Sequence, residues 1–156
     1  MAGASAAKVA DLTVRLAYQD EYALLARFNA QLIRDERHEN GMNSAELADR
    51  MREWLAEDYR ACLFETKAGP AGYALFRDLP ECVHLRHFFI VPEFRGIGLG
   101  RRAFQRLRAE FFPVDKRVLV EVLAWNASGL AFWKSLGFGE RYLGLQLPVA
   151  SGPSTS

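Results

Sequence analysis

Leu12-Thr13-Val14-Arg15-Leu16 alternates apolar and polar residues, the two-residue period of a half-buried strand. From Glu21 to about Arg37 the period lengthens. Leu25, Phe28 and Leu32 recur at three- and four-residue spacing, which predicts an amphipathic helix that Glu39-Asn40-Gly41 ends. Asn43 or Ser44 caps a second helix, with Glu46 placed to complete a capping box and Leu47, Met51, Trp54 and Leu55 as its buried stripe. Ala61–Glu65 and Tyr73–Phe76 read as two strands of a hairpin, separated by the turn-rich run from Lys67 to Gly72. After the turn Asp78-Leu79-Pro80-Glu81, Val83 to Val91 predicts a long strand. A glycine-rich loop beyond Pro92 leads into a helix from about Gly98 to Phe112, with Ala103, Leu107 and Phe111 on one face. Arg117 to Trp125 is strongly strand-like, Ala127 to Leu136 is a short helix ended by Gly137, and Phe138 to Leu147 is a last strand. The order is β-α-α-β-β-β-α-β-α-β. Hairpins together with one β-α-β crossover indicate an α/β (α+β) domain with a mixed sheet.

Length adds that one domain accounts for the chain. The 156 residues are half apolar, enough for one core without disulfide staples. We expect a single domain over residues 1–148 and a disordered Ser/Gly/Pro tail over 149–156. The charges nearly cancel, with 20 basic and 19 acidic residues, so nucleic acid and membrane surfaces are not expected partners. Most of the basic residues are arginines, which favour planar contacts with phosphate or carboxylate. Cys62 and Cys82 sit in apolar strand-like runs and read as free, buried thiols of a reducing cytoplasm. No cysteine spacing suits a metal, no apolar run is long enough for a membrane span, and the Ala-rich start lacks the apolar stretch of a signal peptide.

The chemistry concentrates in Val91-Pro92-Glu93-Phe94-Arg95-Gly96-Ile97-Gly98-Leu99-Gly100-Arg101-Arg102. Three glycines alternate between the end of a strand and the start of a helix. First-turn N–H groups have no partner inside a helix and carry partial positive charge, glycines let that backbone approach a bulky anion, and Arg95 and Arg101 add full charges. By its parts this is a pyrophosphate site. Gly98-x-Gly100-x-x-Ala103 formally matches the dinucleotide fingerprint, with Glu121 downstream. Three features argue against that reading. Too little chain follows the motif, Pro92 to Arg95 separates the strand from the glycines, and two helices and a hairpin come first. A Walker A loop is absent, because no Gly-Lys-Ser/Thr follows.

Arg95-x-x-Gly98-x-Gly100 resembles the Arg/Gln-x-x-Gly-x-Gly/Ala signature of the GNAT superfamily of N-acetyltransferases. Phe89 to Gly96 resembles its strand-to-loop run, and Asn126, Phe132-Trp133 and Leu136-Gly137-Phe138 resemble its downstream motif at the same spacing. The resemblance covers roughly residues 12–147. It implies a mostly antiparallel mixed sheet with helices on both faces, and acetyl-CoA as co-substrate with no metal. It further implies that Arg95, Gly96, Ile97, Gly98, Leu99, Gly100 and Arg101 hold the pyrophosphate, and that Phe89, Ile90 and Val91 pair with the pantetheine arm as an added strand would. One of those N–H groups would polarise the thioester carbonyl. Asn126 would bond the arm near the sulfur, and the acyl group would lie where the strands flanking the glycine helix splay apart. Many family members protonate the departing thiolate with a tyrosine. Here Trp133 occupies that position, and an indole N–H is no practical proton source. Tyr73 and Tyr142 are substitutes, though each reads more simply as a sheet aromatic.

The implied reaction is direct transfer of acetyl to a primary amine of a small molecule or protein. The general base is open between His84, placed by period two on one strand face with Arg86 and Phe88, and Glu36 at the end of the first helix. His87 is expected to face the other way, in a structural or solvent-exposed position. Arg86 inside a strand either binds an acidic group on the acceptor or pairs with Glu36. Phe28, Trp54 and Phe104 read as core. Two alternatives stand: an acyl-CoA-binding sensor with little turnover, and transfer of a larger acyl group. A homodimer is neither demanded nor excluded.

Overall fold

The computed structural model describes Val9 and residues 11–150. The chain divides into two compact units, one up to Asn126 and one from Ala127 onward. The first holds a five-stranded sheet with the spatial order β1-β2-β3-β4-β5. Its strands are β1 (Thr13–Leu16), β2 (Tyr59–Thr66), β3 (Gly69–Asp78), β4 (Cys82–Ile90) and β5 (Arg117–Val120). Helices α1 (Tyr22–Asp35) and α2 (Ser44–Ala56) follow β1, and α3 (Leu99–Phe111) connects β4 to β5. Neighbours pair antiparallel from β1 to β4, while β4 and β5 run parallel, as the crossover through α3 requires.

The predicted caps form. Asn43 Oδ1 accepts from the Glu46 N–H at 2.9 Å, and the Asn43 N–H donates to Glu46 Oε1 at 3.4 Å. The β2–β3 hairpin turns at Lys67-Ala68, so β3 begins earlier than composition suggests and takes in Gly72. A Cβ built on Gly72 would lie 1.9 Å from the Phe89 carbonyl oxygen, so only glycine lets β3 approach β4 this closely. β1 is clasped by Arg15, which donates to both Glu21 and Glu65.

Each face of the sheet buries its own set of side chains. On one face Leu25 of α1 and Met51 of α2 pack on Tyr59, Ala61, Leu63, Tyr73, Leu75 and Phe89. On the other face Phe104 of α3 meets Phe88, and Phe112 just beyond α3 meets Phe76. Both faces of the middle strands are therefore apolar, and burial of these side chains is the main force that forms the sheet.

The alternation along β4 breaks once. Leu75 pairs with His87 and Phe76 pairs with Leu85, so Arg86 is an extra residue on β4, a β-bulge. His84, Arg86, His87 and Phe89 consequently share the α1/α2 face, while Phe88 turns to α3. This corrects the period-two expectation that grouped His84 with Phe88 and sent His87 the opposite way. β5 pairs with β4 only from Cys82 to Leu85 and ends at Val120, not at Trp125. The two strands thus part at the bulge.

The second unit contains α4 (Ala127–Ser135), where Trp133 stacks edge-on against Phe132 and Phe138. Residues 138–150 form no strand, and Tyr142, Leu143, Leu145, Leu147 and Val149 are exposed. The last strand expected from Phe138 to Leu147 is therefore absent. A strand-like run of residues also needs a backbone partner to form a strand. Most of the expected tail, residues 151–156, lies outside the described residues. Cys62 and Cys82 are both free. Cys62 is buried, which pushes its thiol up to about 12, whereas Cys82 is only half-buried, contrary to expectation. Among the described residues no helix is long and apolar enough to cross a membrane.

Candidate functional site

The parting of β4 from β5 leaves the second half of β4 with an edge not covered by β5. The Val91 N–H donates to the Ala71 carbonyl at 2.8 Å, so Val91 is a hydrogen-bonded partner of the strand behind it. Antiparallel ladders alternate, which turns the N–H and C=O of Ile90 to the opposite side. The Ile90 carbonyl accepts from Arg95 Nε at 2.7 Å. Of the three residues expected to meet a pantetheine arm, Ile90 therefore has its N–H on the parted side, and the Val91 N–H is used within the sheet.

The glycine-rich loop starts with a single 3-10 turn, Pro92–Phe94, anchored by the buried Phe94. Gly96 and Gly98 take left-handed φ values of 77° and 82°, which L side chains rarely adopt. Nothing lies within 4 Å of a Cβ built on either, so the loop backbone faces open space. Gly98 is the N-cap of α3 and brings no side-chain cap to the first turn. Leu99 is buried and anchors that turn in the core, whereas Arg101 is exposed. A loop that opens a helix N-terminus, with open room at Gly96 and Gly98, suits a diphosphate.

Arg95 is differently used from what its charge suggests. Its Nη2 donates to Asp35 Oδ2 at 2.7 Å, and its guanidinium lies 5.5 Å from the centre of the Phe89 ring. The side chain thus ties the end of α1 to β4 and fixes the loop between them. Glu36 is the next residue along. It is half-buried, and burial raises its pKa, with nearby His38 working against the shift and Asp35 adding to it. Its carbonyl accepts from Trp125 Nε1 at 2.8 Å, so the segment after β5 closes on the end of α1. The structure brings Glu36, Asp35, Arg95, Ile90 and Trp125 together. Asn126 ends that segment, its N–H bonded to the Leu123 carbonyl at 2.9 Å.

His84 lies elsewhere, opposite Leu119 where β4 still has neighbours on both sides. Its Nε2 is 3.3 Å from Glu121 Oε1. Burial lowers its pKa, opposed chiefly by Glu121, with Arg86 and Arg77 lowering it further. Arg86 does not pair with Glu36. Its Nη1 donates to Tyr59 Oη at 3.3 Å, and its guanidinium lies 4.6 Å over the Trp54 ring. His87 is half-buried, set edge-on to Trp54 and hydrogen-bonded through Nδ1 to Tyr73 Oη at 2.8 Å. Burial, reinforced by Arg86 and Arg50, pushes its pKa down to about 3. Tyr73 is fully buried and its pKa is raised by that burial, so the phenol keeps its proton. Sequence reasoning missed this cluster of Arg50, Trp54, Tyr73 and His87. The signal for it was Arg86-His87, two adjacent polar residues inside a strand, which were read one at a time and placed on opposite faces.

Comparison with known proteins agrees with this architecture. The Acetyltransferase (GNAT) family profile matches residues 25–138, and the chain belongs to that family. No curated protein matches it by sequence. Among solved structures it is similar to an acetyltransferase from Thermus thermophilus, with a TM-score of 0.70, 23% identity, 87% of this chain and 90% of that chain covered. A predicted acetyltransferase with acetyl-CoA from Clostridium acetobutylicum gives a TM-score of 0.70 at 19% identity, covering 88% and 96%. An aminoglycoside N-acetyltransferase in complex with CoA gives 0.70 at 15%, covering 90% and 95%. At these identities the likeness is one of fold.

Proposed function

We propose that this protein is an N-acetyltransferase that passes acetyl from acetyl-CoA directly to a primary amine. The observation that carries the reading is the parting of β4 and β5 at Arg86, beside a glycine loop that opens into the N-terminus of α3. Acetyl-CoA supplies the acetyl thioester and the diphosphate that the loop is shaped to accept. The backbone from Gly96 to Arg101 holds the diphosphate, and the Ile90 N–H donates to the thioester carbonyl oxygen. Glu36, with its raised pKa and its place beside the Ile90–Arg95 tie, takes the proton from the attacking amine. The amine nitrogen bonds to the acetyl carbon as the carbon–sulfur bond breaks, and the thiolate takes a proton from solvent. His84 is the less favoured base, because Glu121 already engages its Nε2.

The test is thiol release from acetyl-CoA by purified protein across a panel of primary amines, alongside a CoA thermal-shift measurement. Amine-dependent release supports the reading, and Glu36→Gln should then cut kcat without changing the CoA shift. A strong CoA shift with no release from any amine overturns transfer and leaves a CoA-binding sensor. No shift overturns the loop assignment as well.

A further inference from the structure

Two guanidinium groups lie over one indole. Arg50 of α2 is 4.4 Å and Arg86 of β4 is 4.6 Å from the Trp54 ring centre. Stacking of this kind satisfies the face of a guanidinium but leaves its in-plane N–H donors to be used at the edge. Arg86 spends one of them on Tyr59 Oη. Arg50 Nε is buried and has no hydrogen-bond partner. The two cations also repel, since Arg86 lowers the pKa of Arg50 in addition to the lowering by burial. Among the described residues no carboxylate forms an ion pair with either one. Asp58 pairs with Arg77, Asp49 with Arg52 and Glu121 with His84, while Glu36, which acts on Tyr73 together with Arg50, pairs with neither arginine. Arg86 is exposed and Arg50 half-buried, so the cost falls on Arg50, whose buried Nε stays without a partner unless something negative joins the pair.

Both arginines lie on the α1/α2 face, opposite the face that α3 covers, so they are not part of the diphosphate loop. Arg86 precedes Ile90 by four positions, roughly 13 Å at about 3.3 Å per residue, and its flexible side chain shortens that span. We propose that Arg50 and Arg86 bind a carboxylate on the acceptor, so that the amine acetylated here belongs to an amino acid or another amine bearing its own acid group. This rests on the transfer reading above, and it names the acceptor class for that site. Arg86 and Arg50 grip the carboxylate through in-plane N–H donors, Trp54 holds both guanidinium planes, and the amine end extends along β4 toward Ile90.

The experiment compares α-amino acids and a ladder of ω-amino acids with their carboxamides, matched in length. With transfer, kcat/KM should favour the acid over its amide by tenfold or more. Arg86→Gln and Arg50→Gln should each erase that preference by bringing the acid down to its amide, and Arg86→Lys should keep part of it. A CoA thermal shift equal to wild type confirms that each variant is folded. Equal rates on acid and amide in the wild type, or a preference that survives both Gln variants, overturns the proposal. A binding arm separates it from the transfer reading: 6-aminohexanoate and its amide are titrated calorimetrically into the protein with CoA present. Acid-selective binding lost in both Gln variants supports the carboxylate site even when no thiol is released, which would sink transfer alone. Absence of acid-selective binding in wild type overturns the carboxylate site.

Discussion

His87 and Glu36 show how burial moves two side chains in opposite senses. An imidazole is charged when protonated and a carboxyl when deprotonated, so the same loss of water lowers one pKa and raises the other. For His87 the folded value is about 3 against an ordinary 6.5. Above pH 6.5 the folded and unfolded chains both carry it neutral. As pH falls below that, the unfolded chain gains the proton first, and stability is lost until about pH 3. The expected slope in this window approaches about 1.4 kcal/mol per pH unit. Urea unfolding across this range should show it, and His87→Asn should flatten it. Glu36 acts on rate. Its raised pKa places the acidic limb of kcat above the usual carboxylate range, and Glu36→Gln should remove that limb and lower kcat about 100-fold or more. Neither shift is legible in sequence. Glu36 was readable as a candidate from its place at a helix end, but its burial depends on side chains distant in the chain.

Among elements, those with one face to cover were read best. The stripes of α1, α2 and α3, the Asn43 cap and the hairpin all follow from local pattern, and their ends shift by only a few residues. β4 was harder. Phe88, Phe89 and Ile90 are all apolar because both faces are covered, so nothing in that run marks which way each residue points. On α1, Asn29 is buried with both amide atoms unpartnered. Asn29→Leu replaces it with an apolar side chain of like shape and should raise stability by about 1–3 kcal/mol, read from denaturant midpoints. In β3 the opposite is expected. Gly72→Ala drives a Cβ into the Phe89 carbonyl and should destabilise by about 1–3 kcal/mol, toward the upper figure because backbone cannot swing aside.

For the molecule as a unit of binding, the expected signature is linkage to CoA. A ligand that binds only the folded chain raises its stability by about 2.7 kcal/mol at 100 times its Kd. Thermal melts with CoA should show that gain in the wild type. Gly98→Asp should abolish it, because a β-carbon strains the left-handed N-cap and a carboxylate repels the diphosphate. Family membership was legible from two motifs at matched spacing, since a glycine loop and a downstream Asn-aromatic-Leu-Gly-Phe pattern are local features. The arginine pair on Trp54 was not, because it joins α2 to β4 on one face of the sheet, and no spacing along the chain reports it.

The extra residue in β4 also has a genetic reading. Removing Arg86 alone would leave His84, Leu85, His87, Phe88 and Phe89 on the faces they already occupy, in unbroken alternation. Such a single-codon loss should be far milder for folding than its place in a central strand suggests. Its cost would fall on the gap between β4 and β5, which a straight strand is free to zip shut. A full-length, well-folded chain that no longer takes up CoA is the phenotype to look for. It would mark one inserted residue as the difference between a plain sheet and a working cleft.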